Sequence, residues 1–248
     1  MNSLDLVELT PMGRNTRPLI GKTVLIVEDS RFICEAARLM CLHSGARLRR
    51  ADSLAAARRH LNVYFPTIVI IDVGLPEAAR RHLNVYFLTI VIIDVGLPDG
   101  SGLQLTSELA GASPRISVIL GTSGDDLMHH QSLKAGADGF LAKPFENLSC
   151  FQSTILQLLP VEQKPKGPIV LQDAPVLPDL ITFRDDLVQA LISLKDYPSA
   201  KEEGFIRSFL AGVCAASGDD YMQEAIKTGD IDQLCAKIEH RIGQIAIL

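Results

Sequence analysis

Between residues 21 and 159, short apolar runs alternate with amphipathic segments. Runs rich in Ile and Val are typical of buried strands; the clearest are TVLIV, TIVIID and ISVILGTS, with weaker candidates in RLRRA and GFLAKP. Most are followed by a segment whose apolar positions recur with a helical period, for example RFICEAARLMCLHS. Strands that alternate with helices form parallel βα units. The pattern therefore predicts an α/β fold, a doubly wound parallel sheet of five strands with ligands at their carboxyl ends.

The rest of the chain has a different pattern. Five prolines fall within residues 160–178, which is typical of a semi-rigid linker. Four helical patterns and no strand pattern follow over residues 179–248, so we expect a small all-α domain with an output or dimerisation role. Residues 1–20 fit neither pattern and are predicted to form a loose N-terminal arm. The α/β domain is then confined to residues 21–159.

One 22-residue segment occurs twice in tandem, as residues 56–77 and residues 78–99. The copies differ at their last residue and at one internal position, where Pro66 corresponds to Leu88. Proline ends a helix ahead of the following strand, and Leu88 removes that stop from the second copy. Such near-identity indicates a recent duplication, natural or introduced. It leaves one helix–strand unit surplus to a five-stranded domain.

The surplus strand must be buried somewhere, because a central parallel strand is apolar on both faces. Exposing four of its Ile and Val side chains would cost roughly 6–12 kcal/mol, which rivals the stability of a whole domain. The strand could join the same sheet, one copy could be remodelled as a longer helix, or two chains could exchange halves. We favour exchange, since segment swapping is a low-cost route to a homodimer.

Charge is distributed unevenly along the chain. The net charge is −5, and from Pro168 onward thirteen acidic residues outnumber seven basic ones. An acidic domain repels a phosphate backbone, so we expect no DNA binding. No apolar run is long enough to cross a bilayer, and the five cysteines lack metal-ligand spacing. We therefore expect a cytoplasmic protein with reduced thiols and no membrane association.

Residues capable of chemistry follow the predicted strands. In chain order the strand ends carry Glu28-Asp29, Asp94 or its copy Asp72, Thr122-Ser123 and Lys143. Parallel strands end at one rim, so three carboxylates, a hydroxyl and an ammonium would lie together there. Carboxylates at close range repel each other, and a hard divalent cation such as Mg²⁺ removes that conflict. A carboxylate in such a site can also accept a phosphoryl group as an aspartyl phosphate.

Several separated motifs in this order, VLIVEDS, IVIIDVGLPDGSG, VILGTS and AGADGFLAKPF, resemble the receiver domain of two-component response regulators. The resemblance covers residues 21–159 and implies a flavodoxin-like sheet. It also implies that Asp29 binds Mg²⁺ directly and Glu28 largely through water. The aspartate of IIDVGLP would accept the phosphoryl group, and Gly96 would lend its backbone carbonyl to the metal.

The same resemblance assigns the remaining site residues. Thr122 and Lys143 would hold the phosphoryl oxygens, and a coordinated movement of Thr122 and Phe140 would change the face made by the fourth helix, fifth strand and fifth helix. The resemblance implies a phosphorelay regulator that receives phosphate from a histidine kinase or phosphotransfer protein and switches protein–protein interactions. It implies no catalysis beyond the regulator's own phosphoryl transfer and dephosphorylation. A phosphorylation-incompetent dimerisation scaffold is the alternative, because of the duplication.

The repeat offers two candidate acceptors. Asp72 lies 43 residues after Asp29 and 71 before Lys143, whereas Asp94 lies 65 after and 49 before them. An ordinary receiver matches Asp72 in the first interval and Asp94 in the second. We favour Asp94, which the complete GLPDGSG loop follows, and keep Asp72 as the alternative.

Overall fold

The computed structural model of the protein describes residues 17–64, 88–145, 147–171, 176, 178–196, 198–228 and 230–245. Five parallel strands form one sheet in the order β2-β1-β3-β4-β5. Their bounds are β1 Thr23–Val27, β2 Arg47–Ala51, β3 Ile90–Asp94, β4 Val118–Ser123 and β5 Gly139–Ala142. This order is the doubly wound, flavodoxin-like arrangement, so the predicted fold class is confirmed.

Helices cover both faces of the sheet. They are α1 Arg31–Ser44, α2 Leu54–Tyr64, α3 Gly102–Ala110, α4 Leu127–Lys134 and α5 Leu148–Leu158. Val24 and Ile26 of β1 belong to the core beneath α1 and α5, whereas Leu25 and Val27 belong to the core beneath α2 and α3. Alternate residues of a strand point to opposite faces, so an uninterrupted apolar run serves both cores.

The C-terminal region is helical, as predicted. After a short 3-10 turn at Val161–Gln163 come α6 Leu180–Lys195, α7 Ala200–Ser217, α8 Asp220–Thr228 and α9 Ile231–Gln244, which we call the helical unit. These helices enclose a core of their own that includes Phe183 and Leu210. Ser199 and Glu202 form a capping box that starts α7. Across the part of the chain that is described, no helix is both long and apolar enough to span a membrane.

The two copies of the repeat contribute different elements. Helix α2 lies in the first copy from residue 56 onward, and strand β3 lies in the second copy. Leu88, which replaces the proline, is buried in the core beneath α2 and α3. The strand of the first copy and its Asp72 lie outside the described residues, as does the fate of the surplus unit. Asp94 is therefore the aspartate that ends the third strand of the described sheet.

Residues 17–20 pack against the α/β domain. Leu19 is fully buried in the core beneath α1 and α5, and its backbone N–H donates to the carbonyl of Ser44 at 2.8 Å. Burying one leucine stabilises a fold by roughly 1.5–3 kcal/mol, which is enough to hold a short segment in place. The prediction of a loose arm over residues 1–20 is therefore wrong from residue 17 onward.

The helical unit packs against the start of α1. Phe32, in the first turn of α1, is part of the helical unit's core, and its ring lies 5.6 Å from the ring of Phe183. Arg31 forms an ion pair with Asp185 of α6 at 3.0 Å. The loop between β1 and α1, together with the first turn of α1, thus forms part of the interface with the helical unit. We call this segment the corner between β1 and α1.

Candidate metal centre at the strand ends

Three carboxylates meet where β1 and β3 end. Glu28 and Asp29 follow β1, Asp94 is the last residue of β3, and one oxygen of each lies within 4.8 Å of the others. The two strands are hydrogen-bonded neighbours in the sheet, which brings their carboxyl ends together. Glu28 and Asp94 are buried, so their mutual repulsion is screened less than it would be in water.

Lys143 joins this cluster from the end of β5. Its Nζ lies 2.5 Å from Oε2 of Glu28 and 3.1 Å from Oδ2 of Asp94, and its side chain is only 6% exposed. The backbone N–H of Lys143 donates to Ser123 at 2.9 Å, which ties the start of this loop to the end of β4. The ammonium therefore bridges two carboxylates that arise from different strands.

Burial dominates the proton affinities of the acids. Burial, reinforced by the charge on Glu28, raises the pKa of Asp94 to about 7. Burial and the charge on Asp94 raise the pKa of Asp29 to about 6, and burial also raises the pKa of Glu28. Burial alone would lower the pKa of Lys143, but the charges on Glu28 and Asp94 outweigh that effect and raise it. Lys143 is therefore charged at neutral pH.

The donor set suits a hard divalent cation. Three carboxylates against the ammonium of Lys143 leave an excess of negative charge when all are ionised, and this excess adds to the effect of burial in raising the pKa values of Asp29 and Asp94. Mg²⁺ prefers oxygen ligands and is commonly held by one or two carboxylates, with water completing its shell. Gly96 lines the same cavity as Asp29 and Asp94. The four predicted metal-binding residues thus surround one space.

The two predicted switch residues lie on adjacent strands. Thr122 is aligned with Asp94 in the sheet register, but its hydroxyl donates to the carbonyl of Leu141 at 2.7 Å. Phe140 is half-buried on β5, and its ring stacks on His129 of α4 at a centroid distance of 5.1 Å. Thr122 therefore borders the acidic cluster, whereas Phe140 contacts α4.

Gly102 is not among the predicted site residues, yet it lets the start of α3 approach the end of β3 closely. A Cβ added to this residue would lie 1.9 Å from the backbone oxygen of Asp94, far inside van der Waals contact. The N–H of Gly102 donates to Val95 at 2.9 Å, so the start of α3 closes directly on the site. The glycine in the GLPDGSG motif was the available signal, because close backbone approach is one reason for a glycine.

The helical unit forms the opposite wall of the site. A cavity of about 260 Å³ lies between the strand ends and α7. On the sheet side it is lined by the acids, Lys143 and the loop after β4; on the other side it is lined by α7 residues that include Phe205, Phe209 and Gly212. Nothing in the local sequence of α7 predicts this contact, because it depends on how two units pack.

The chain is similar in sequence to known receiver domains. A model of the response regulator receiver domain family matches residues 77–153. The chemotaxis protein CheY of Halobacterium salinarum is 34% identical over 131 residues, which cover 91% of that protein and 52% of this chain. The chain belongs to the response regulator receiver family. The match to CheY covers about half of this chain.

Solved structures of receivers are also similar to this chain. A presumed response regulator from Chloroflexus aurantiacus J-10-fl is 25% identical, covering 55% of this chain and 96% of its own, with a TM-score of 0.42. A CheY-like receiver domain protein from Methanospirillum hungatei JF-1 is 21% identical, covering 57% and 95%, also with a TM-score of 0.42.

Proposed function

We propose that this response regulator accepts a phosphoryl group on Asp94 in a Mg²⁺-dependent reaction, and that phosphorylation switches its interactions with other proteins. The observation that carries the proposal is the convergence of Glu28, Asp29 and Asp94 within 4.8 Å, with Lys143 in contact with two of them. By its family, the donor is a histidine kinase or a phosphotransfer protein. Catalysis is limited to the regulator's own phosphorylation and dephosphorylation.

Mg²⁺ would be held by the carboxylates of Glu28, Asp29 and Asp94 and by the backbone carbonyl of Gly96. When bound, the ion neutralises charge that spreads over the transferring phosphoryl group. A divalent cation in the site would lower the pKa values of Asp29 and Asp94, which burial and the charges of neighbouring acids raise, so both acids would ionise. Asp94 must be ionised to act as a nucleophile.

In the proposed reaction, a carboxylate oxygen of Asp94 forms a bond to phosphorus while the bond from phosphorus to the donor's imidazole nitrogen breaks. The nitrogen keeps the electron pair of that bond and takes up a proton. Lys143, already 3.1 Å from Asp94, would pair with a phosphoryl oxygen. The hydroxyl of Thr122 would exchange its hydrogen bond to Leu141 for one to another phosphoryl oxygen. Phe140, on the neighbouring strand β5, would move together with Thr122.

Asp94 is the proposed acceptor in preference to Asp72. Asp94 ends β3, which lies between β1 and β4 in the sheet. The acids that follow β1 and Thr122 of β4 therefore flank Asp94, and this supports the choice. The duplicated unit remains the basis for a second proposal, a homodimer formed by segment exchange. Light scattering at micromolar concentration checks it, and a monomeric mass would contradict it.

Labelled acetyl phosphate tests the phosphorylation directly. We expect the full-length protein to take up label in the presence of Mg²⁺ and to lose this ability when EDTA removes the ion. Asp94→Asn should abolish uptake, whereas the matched change Asp72→Asn should retain it. Uptake that is independent of Mg²⁺, or that survives Asp94→Asn, would contradict the proposal.

A further inference from the structure

Asp186 is a buried acid of the helical unit that reaches into the receiver. It lies on α6, is only 3% exposed, and accepts three hydrogen bonds from the corner between β1 and α1. The hydroxyl of Ser30 donates to its Oδ2 at 2.8 Å, the backbone N–H of Phe32 donates to the same oxygen at 3.0 Å, and the N–H of Arg31 donates to Oδ1 at 3.0 Å.

These bonds complete the N-terminus of α1 from outside the receiver. The first backbone N–H groups of a helix have no partner within the helix, and a carboxylate there is also favoured by the helix dipole. Ser30 caps the helix by accepting from the N–H of Ile33 at 3.1 Å, and Asp186 takes the N–H groups of Arg31 and Phe32. The start of α1 is thus held jointly by its own cap and by the helical unit.

The same corner carries the acidic cluster. The N–H of Ser30 donates to Oε1 of Glu28 at 3.1 Å, and Lys143 then links Glu28 to Asp94. Hydrogen bonds therefore lead from Asp186 to Ser30 and from Ser30 to Glu28, and the ion pairs of Lys143 continue this buried path to Asp94. Asp29 sits between Glu28 and Ser30 in this loop, and its carbonyl accepts from Arg50 at 3.0 Å.

We propose that Asp186 is a positioning residue for the acidic site: it holds the loop that carries Glu28 and Asp29 in the geometry that Mg²⁺ requires. This inference rests on the proposed function, because the loop has a catalytic purpose only if the site binds the ion. Since Asp186 belongs to the helical unit, docking of that unit and binding of Mg²⁺ support each other. Such coupling is reciprocal, so Mg²⁺ in turn strengthens the docking of the helical unit.

Asp186→Asn keeps the size of the side chain but exchanges one acceptor oxygen for an NH₂ group that faces N–H donors. Loss of a charged acceptor at this site should raise the dissociation constant for Mg²⁺ about tenfold. The phosphorylation rate with acetyl phosphate should fall at limiting Mg²⁺ and approach the wild-type rate when Mg²⁺ is saturating. A residue that merely stabilised the fold would not produce this dependence on the ion.

Asp185→Asn is the matched control, because Asp185 is the preceding residue of α6 and pairs with Arg31 at the surface. Calorimetric titration of Mg²⁺ into the full-length variants gives the affinities, and urea unfolding shows that they are folded. We expect Asp185→Asn to bind Mg²⁺ within about twofold of wild type. Equal affinities for the Asp186→Asn and Asp185→Asn variants would overturn the inference while leaving the proposed function intact.

Ser30→Ala provides a second variant in case Asp186→Asn does not fold. It removes one donor to Asp186 and the cap of α1, but it keeps the carboxylate in place. We expect it to weaken Mg²⁺ binding by about threefold to tenfold, and unchanged affinity in a folded Ser30→Ala protein would overturn the inference. A wild-type protein that binds no Mg²⁺ would overturn both the inference and the proposed function.

Discussion

The ammonium of Lys143 lies 3.1 Å from Oδ2 of Asp94, at the end of the strand that the second copy of the repeat supplies. The same ammonium contacts Glu28 at 2.5 Å, so a single cation neutralises part of a buried acidic cluster. This contact joins the stability of the receiver to its chemistry, because a phosphoryl group on Asp94 would compete with Glu28 for Lys143.

Replacing Lys143 by Met should destabilise the receiver. Removing one partner of a buried pair typically costs about 3–5 kcal/mol, because it leaves the other charge without compensation. Urea unfolding near pH 8 without Mg²⁺ measures the loss, and Lys134→Met, at an exposed position on α4, is the control. Equal unfolding free energies for the two variants would show that the Lys143 contacts contribute nothing to stability.

Mg²⁺ should stabilise the protein more strongly as the pH rises. The pKa values of Asp29 and Asp94 are raised to about 6 and about 7, so the folded protein binds protons more tightly than the unfolded chain. Proton binding by Asp29 and Asp94 therefore stabilises the folded state in acid. This stabilisation is lost as the pH rises through the two pKa values, because the acids then ionise and repel each other.

Thermal unfolding with and without Mg²⁺ at about pH 5 and about pH 8 measures this effect. We expect a clear increase in Tm with Mg²⁺ at the higher pH and little or none at the lower pH, because protons occupy the oxygens that the ion needs. Ca²⁺-free buffer and a parallel series with Asp94→Asn control for binding elsewhere. A larger increase in acid would contradict the assignment of these acids as the metal ligands.

Gly102→Ala should disrupt the site through the backbone. The added methyl would lie 1.9 Å from the backbone oxygen of Asp94, so either α3 or the end of β3 must move. We expect a loss of more than about 3 kcal/mol in the free energy of unfolding, together with weaker Mg²⁺ binding. Gly204→Ala on α7 is the control: its Cβ meets nothing within 4 Å, and it should stabilise by about 0.5–1 kcal/mol.

Thr122→Val should isolate the contribution of the hydroxyl group, because valine keeps the shape of the threonine side chain. The hydroxyl donates to Leu141 at 2.7 Å, so its loss should cost about 1 kcal/mol of stability and slow phosphorylation of Asp94 by about tenfold. Thr106→Val is the matched control, because the buried Thr106 also donates to a backbone carbonyl, that of Gly102, at 2.9 Å. Similar stability losses with equal phosphorylation rates would exclude a role for Thr122 in the reaction.

Sequence patterns predict the sheet, because apolar runs are local features of the sequence. They also predict that the residues at the strand ends lie close together, because parallel strands place their carboxyl ends at one edge of the sheet. They did not predict the contacts of Asp186 with the start of α1. Asp185 and Asp186 are adjacent acids with the same local context, and only the packing of α6 on α1 exposes one and buries the other.

Two further features depended on long-range packing. The sequence pattern predicts a loose arm around Leu19, because a short segment without periodicity carries no signal of its own, yet Leu19 is buried in the core beneath α1 and α5. The repeat left the choice between Asp72 and Asp94 open, since each fits one half of the expected spacing. In the described α/β domain, helix α2 lies mostly in the first copy and strand β3 lies in the second. Residue intervals alone do not predict this division.

Peptide mapping of the phosphorylated protein tests the central claim most directly. Trypsin should release Asp72 in residues 60–80 and Asp94 in residues 82–115, and these two peptides differ in sequence. After treatment of the full-length protein with acetyl phosphate and Mg²⁺, we expect the added phosphoryl mass in the peptide that contains Asp94, and none when EDTA is present. Modification confined to the peptide that contains Asp72, or no modification of either peptide with Mg²⁺ present, would contradict the account.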